Sequence, residues 1–175
     1  MVAPERLNDD VTGPERYGHE ARYLIAHGLT IPGDTVLDAA CGTGYGATIL
    51  APHGSGVHYF GIDIKPVSAH TCPTHRFVNV DLQEQMTPIP FDVAVSFETI
   101  EHLPDYLPLI ATLKSARRWI IASVPVVPTV GVNPFHRHDF VPGQLAELFV
   151  DDEWELFQTV QQPSEVSEIS VFRRR

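Results

Sequence analysis

The chain has 175 residues, 43% of them apolar, and a formal net charge of −10. That length suits one domain around one core, and the acidic balance argues against a partner gripped through many phosphates, because such binding rests on clustered Lys and Arg. No apolar run approaches the ~20 residues needed to cross a bilayer, the N-terminal MVAPERLNDD is too polar for a secretory leader, and Cys41 and Cys72 form neither a disulfide framework nor a paired metal motif, so the expected setting is the cytosol.

In chain order, Pro14 to His27 has helical punctuation and stops at Gly28; Ile31-Pro32-Gly33-Asp34 then turns the chain into a strand over Thr35 to Ala39. A glycine-rich stretch leads into a helix over Tyr45 to Ala51, stopped by Pro52. Val57 to Ile62 and His75 to Val80 are the next strands, and Lys65 to Thr74 between them has room for a turn or two of helix at most. Phe91 to Phe97 is apolar enough to be a central strand covered on both faces. A helix begins near Pro104 with Leu107, Ile110 and Leu113 at helical spacing, and Arg118 to Val124 forms a fifth strand. A Pro- and Val-rich loop runs to Asn133, Pro142 to Val150 is a helix, and Trp154 to Val160 with Ser167 to Phe172 makes an antiparallel hairpin at the sheet edge. The terminal Arg173-Arg174-Arg175 reads as a solvated tail. Alternating strands and helices of this kind predict an α/β fold, a doubly wound, mostly parallel sheet with helices on both faces, in one domain.

The stretch VLDAACGTGYGA, Val36 to Ala47, carries the most chemistry. A glycine turn between a first strand and a helix lets backbone N–H groups approach a ligand closely. Gly42-x-Gly44-x-x-Ala47 formally satisfies a dinucleotide pattern, with Asp63 placed for a ribose, so a nicotinamide oxidoreductase is one reading. Against it, no tyrosine is followed four residues later by lysine, as a short-chain reductase would require.

LDAACGTGYGA resembles the first motif of the class I S-adenosylmethionine-dependent methyltransferases. The later landmarks GIDI, ending at Ile64, NVDL, ending at Leu82, and FDVAVSFETIEHL, ending at Leu103, agree with that family in order and spacing. The resemblance implies a Rossmann-like seven-stranded sheet whose last pair is antiparallel, and S-adenosyl-L-methionine as cofactor. It also implies site roles. Asp38, with the backbone of Ala39, Ala40, Cys41, Gly42 and Gly44, would serve the amino acid end; Asp63, with Ile64, would accept the ribose hydroxyls; and Asp81, with Leu82, would meet the adenine. Tyr17 would cover the methionyl end, and Phe97 and Glu98 would line the pocket where strand four ends.

Methyl transfer needs alignment of the acceptor and, for a hydroxyl, a base. Glu98, Glu101, His102, His136, His138 and Asp139 are the candidates, with His102 the leading base or orienting group and His136 the second. SFETIEHL followed by NPFH also resembles a subgroup found beside glycosyltransferases, which implies a sugar or other small-molecule hydroxyl as acceptor. Glu98-x-x-Glu101-His102 with a later histidine is, in addition, similar to the metal-binding set of the small-RNA terminal ribose methyltransferases; the expectation is nonetheless that no metal is bound. The short acceptor half leaves two further expectations: a second copy or a partner subunit completing the site, or a silent cofactor-binding subunit serving another enzyme.

Overall fold

The computed structural model describes residues 13–67, 72–84, 89–162 and 166–175; the polar segment at residues 1–12 and the middle of the Lys65 to Thr74 connection lie outside these. Seven strands form one sheet: β1 (Thr35–Ala39), β2 (His58–Asp63), β3 (His75–Asn79), β4 (Val93–Phe97), β5 (Trp119–Pro125), β6 (Trp154–Gln162) and β7 (Ser167–Arg174). Their order is β3-β2-β1-β4-β5-β7-β6, parallel from β3 through β5 and antiparallel for the last two. The helices are α1 (Pro14–His27), α2 (Ala47–Leu50), α3 (Leu107–Leu113) and α4 (Gln144–Phe149).

Period-2 alternation sends each strand's side chains into one of two cores. Val36, Val93, Val95, Ile121 and Val171 face one side, where Tyr23 and Ala26 of α1 and Leu50 of α2 pack on them. Leu37, Ala94, Ile120, Ala122 and Phe172 face the other, against Leu109 and Leu113 of α3 and Leu145 and Phe149 of α4. Asp38 shares the parity of Val36, so the first acid of the sequence motif is buried beneath α1.

Most predicted elements appear within a residue or two of their expected ends. The helix after the glycines is shorter, because Ala47 N–H and Thr48 N–H close tight turns onto the carbonyls of Gly44 and Tyr45 before a regular turn forms. The helix expected near Pro104 starts at Leu107, which is exposed, and a 3-10 turn over Ile100–His102 precedes it. The arginine tail is corrected outright. Arg173 and Arg174 belong to β7 and pair with Glu155 and Glu153 across the hairpin. β6 takes the edge, and β7 is interior.

Candidate active site

The strand order reverses between β1 and β4, since β2 and β3 lie to one side and β5 to the other. Open α/β sheets bind ligands outside the carboxyl ends of strands at such a switch, and the chemically distinctive residues collect there. Gly42 and Gly44 take φ values of 59° and 84°, a region side chains rarely adopt. Asp63, at the end of β2, braces their turn: one carboxylate oxygen accepts Gly42 N–H at 2.9 Å and the other accepts Lys65 N–H at 3.0 Å. Asp81 lies just past β3, half-buried, accepting Gln83 N–H at 3.0 Å, with Leu82 buried beside it. Ile64 is exposed next to Asp63.

Asp38 is fully buried below the turn. Tyr59 donates its hydroxyl to Oδ2 at 2.5 Å, the Tyr23 hydroxyl approaches from α1, and Oδ1 is buried without a donor. Burial pushes this carboxyl up to about 7, against the pull of the Tyr59 and Tyr23 hydroxyls. Its ordinary value is 3.8, so the folded state holds the proton more tightly, and stability declines as pH rises from about 4 to 7. Asp38→Asn removes that slope. Between those pH values the wild type is expected to lose up to about 4 kcal/mol relative to the variant, checked by urea unfolding at each pH; parallel curves would contradict it.

Tyr23 also meets Phe97 edge-on at 5.0 Å and Tyr45 at 5.4 Å, and a Cβ on Gly46 would fall 2.3 Å from its ring. α1 is thereby seated on both the glycine turn and the end of β4. Phe97 is buried in this contact, whereas Tyr17 is 69% exposed on the same helix.

Glu98 leaves β4 with φ 49°. Its carboxylate accepts the Ser123 hydroxyl at 2.7 Å and the Ser167 hydroxyl at 3.0 Å, and lies 3.5 Å from the guanidinium of Arg22. Arg22 is wholly buried in α1 and donates to Gln162 at 3.1 Å. Both oxygens of Glu98 are thus engaged away from the later histidines. The cluster that does assemble is Glu101, His102 and His136. Glu101 is fully buried, and His102 Nε2 stands 3.8 Å from its carboxylate. The His102 and His136 rings meet edge-to-face at 4.5 Å. The NPFHRHDF loop is tied onto the 3-10 turn, because Arg137 N–H and His138 N–H donate to the Glu101 carbonyl at 2.7 and 3.2 Å and His138 Nε2 bonds the Leu103 carbonyl at 2.9 Å. His136 Nδ1 pairs with Thr129 Oγ1 at 2.6 Å, and Asp139 accepts the Thr129 and Val130 N–H groups, which hold its carboxyl below the usual range.

The sequence reading missed Arg22, Tyr23, Tyr59, Ser123 and Ser167. The spacing of Tyr23 and Ala26 on one helix face is a signal that could have found Tyr23 as core; nothing local linked Arg22 to Glu98.

A family model described as a methyltransferase domain matches residues 15–166. A Mycolicibacterium smegmatis protein named as a probable S-adenosylmethionine-dependent methyltransferase is 30% identical over 159 residues, covering 81% of this chain; the chain spans 60% of that relative's length. Among solved structures, a Haloferax volcanii methyltransferase in complex with a methyltransferase activator superposes with TM-score 0.73 at 15% identity, covering 91% of this chain and 90% of the other. The Burkholderia thailandensis 1,6-didemethyltoxoflavin-N1-methyltransferase, with its acceptor and S-adenosylhomocysteine bound, gives TM-score 0.67 at 16% identity over 97% of this chain and 93% of that one.

Proposed function

The chain belongs to the class I S-adenosylmethionine-dependent methyltransferases, and from that premise we propose that it methylates an oxygen, a hydroxyl of a small molecule or sugar, with His102 as the proton acceptor. The residues present fit the cofactor. Asp63 stands at the end of β2 beside the glycine turn, and a carboxylate with four lone-pair sites suits ribose hydroxyls, while Asp38 Oδ1 is a buried acceptor lacking a donor, which suits an ammonium. Asp81 and Leu82 stand at the next strand end, placed for the adenine. When bound, the cofactor supplies a methyl group already activated by its sulfonium.

The protein's own contribution on the acceptor side is alignment and proton removal. The single observation that carries the oxygen reading is the Glu101–His102 pair in the 3-10 turn that follows β4, a strand that ends at the same carboxyl edge of the sheet as β1 and its glycine turn. A buried carboxylate beside an imidazole fixes the ring and favours its protonated form once the ring has taken a proton. A hydroxyl acceptor needs that service. The exposed Val130 and Val132, on the same loop as His136, offer an apolar rim for the rest of the acceptor.

A second reading has its own observation. Ligand atoms of Glu101, His102 and His136 lie within 4.8 Å of one another, so this trio suits a divalent cation that would orient paired hydroxyls, including those of a terminal ribose. Two arms of one experiment separate the readings: methyl-labelled cofactor is incubated with the protein and a pool of cell metabolites, with and without EDTA. Transfer that persists in EDTA supports His102 acting alone; transfer abolished by EDTA and restored by Mg²⁺ or Mn²⁺ supports the cation. Transfer that waits for a second protein would favour the supporting-subunit expectation, for which the activator complex of the Haloferax methyltransferase is the structural precedent.

A further inference from the structure

The sheet has two edges. At one, β3 is five residues long, carries Arg76, and is flanked in sequence by segments outside the described residues. At the other, β6 is nine residues long, and among the described residues no strand lies beyond it. Register shows which backbone groups β6 leaves open. Arg174 N–H donates to the Arg118 carbonyl, on the β5 side, and Arg175 N–H to the Glu153 carbonyl, on the β6 side, so successive residues of β7 face opposite neighbours. Val171, Ile169 and Ser167 therefore face β6, where their partners are Gln158, Val160 and Gln162. Thr159 and Gln161, between those partners, turn their N–H and C=O groups outward, and no backbone bond among the described residues takes them up.

Native edges are ordinarily blunted by charge, proline or a bulge, because an open row of peptide groups recruits another strand. β6 has a bulge between Leu156 and Gln158, but beyond it the ladder runs regularly to Gln162. Leu156 to Gln162, LFQTVQQ, contains neither an ionisable residue nor a proline. The acids that precede it, Glu155 and Glu153, are paired with Arg173 and Arg174 across the hairpin. In a chain of net charge −10, this is a stretch where a second copy meets no uncompensated charge. The run is also symmetric about Thr159, as an isologous contact requires: an antiparallel pairing centred there lays one LFQTVQQ along the whole of the other. Phe157, half-exposed with its ring centroid 5.2 Å from that of Trp119, and Leu156, 42% exposed, stand toward the ends of that pairing as apolar anchors. We propose that two copies of this chain pair through β6, antiparallel and centred on Thr159, joining their sheets into one across a twofold axis.

Light scattering of the full chain at about 50 µM should give the mass of two chains. Thr159→Pro should give the mass of one, with association weakened at least about tenfold. The Thr159 N–H points away from β7, so proline there removes no bond from the ladder, and an unchanged melting temperature checks that the fold holds. A charge exchange at the same exposed position decides the matter if proline disturbs the strand. Thr159→Lys and Thr159→Glu should each run as single chains at low salt, since like charges meet at the axis, and mixing the two should restore a dimer with one copy of each. Loss of structure in either variant would not be undone by mixing. A wild type that stays a single chain, a folded Thr159→Pro that stays a dimer, or charged variants that fail to pair on mixing would overturn the proposal. So would a wild-type edge that takes up a strand only from a different protein.

Discussion

His102→Ala is expected to lower kcat by about 10²- to 10⁴-fold, the usual worth of a positioned general base, while the Kd for S-adenosylhomocysteine stays within about twofold. The imidazole is a quarter exposed at the end of the 3-10 turn, and the fully buried Glu101 carboxylate stands 3.8 Å behind it. Removing the ring takes away the proposed proton acceptor and leaves the glycine turn, Asp63 and Asp38 untouched, so the loss is expected in the chemical step. Single-turnover methyl transfer to the acceptor recovered from the metabolite pool measures it, with added imidazole restoring part of the rate. A variant whose kcat falls less than threefold would end the assignment of His102 as base.

Glu98→Ala is expected to cost about 3–5 kcal/mol of folding stability, because it removes a carboxylate 3.5 Å from the guanidinium of a wholly buried Arg22. The Ser123 and Ser167 hydroxyls lose their acceptor as well. A double change, Arg22→Met with Glu98→Gln, should recover most of the loss, since an uncharged pair avoids the desolvation of an isolated ion. Chemical denaturation of the two variants beside the wild type decides it, and a loss under about 1 kcal/mol in Glu98→Ala would show that the other partners of Arg22 satisfy it. The same network explains why Glu98 does not join Glu101, His102 and His136. Three donors from α1, β5 and β7 already hold it.

The sheet was legible from the chain because its central strands are continuous apolar runs bounded by Gly, Pro and Asp, and period-2 alternation then assigns their faces. The acids at strand ends were legible for the same reason, as polar residues interrupting buried runs. Arg16 and Arg22 were not, because an arginine on a helix ordinarily reads as solvated charge. Arg22 is buried beside a carboxylate distant in sequence, and Arg16 is partly covered where α1 folds over the glycine turn. Arg173 and Arg174 misled in a similar way: three basic residues at a chain end look like a tail until Glu153 and Glu155, across the hairpin, give them a strand to occupy.

The interior placement of β7 bears on how the molecule is made. β5, whose residues from Ile120 to Pro125 are all buried, is synthesised well before the strand that pairs with it along its whole length. At ~5–20 residues per second on the ribosome, its outer row of peptide groups waits some seconds for a partner. During that interval the nascent chain offers a bare apolar template for cross-pairing with a neighbour. Slower elongation through the α4 region, which delays Ser167 to Arg174, is therefore expected to shift product toward inclusion bodies.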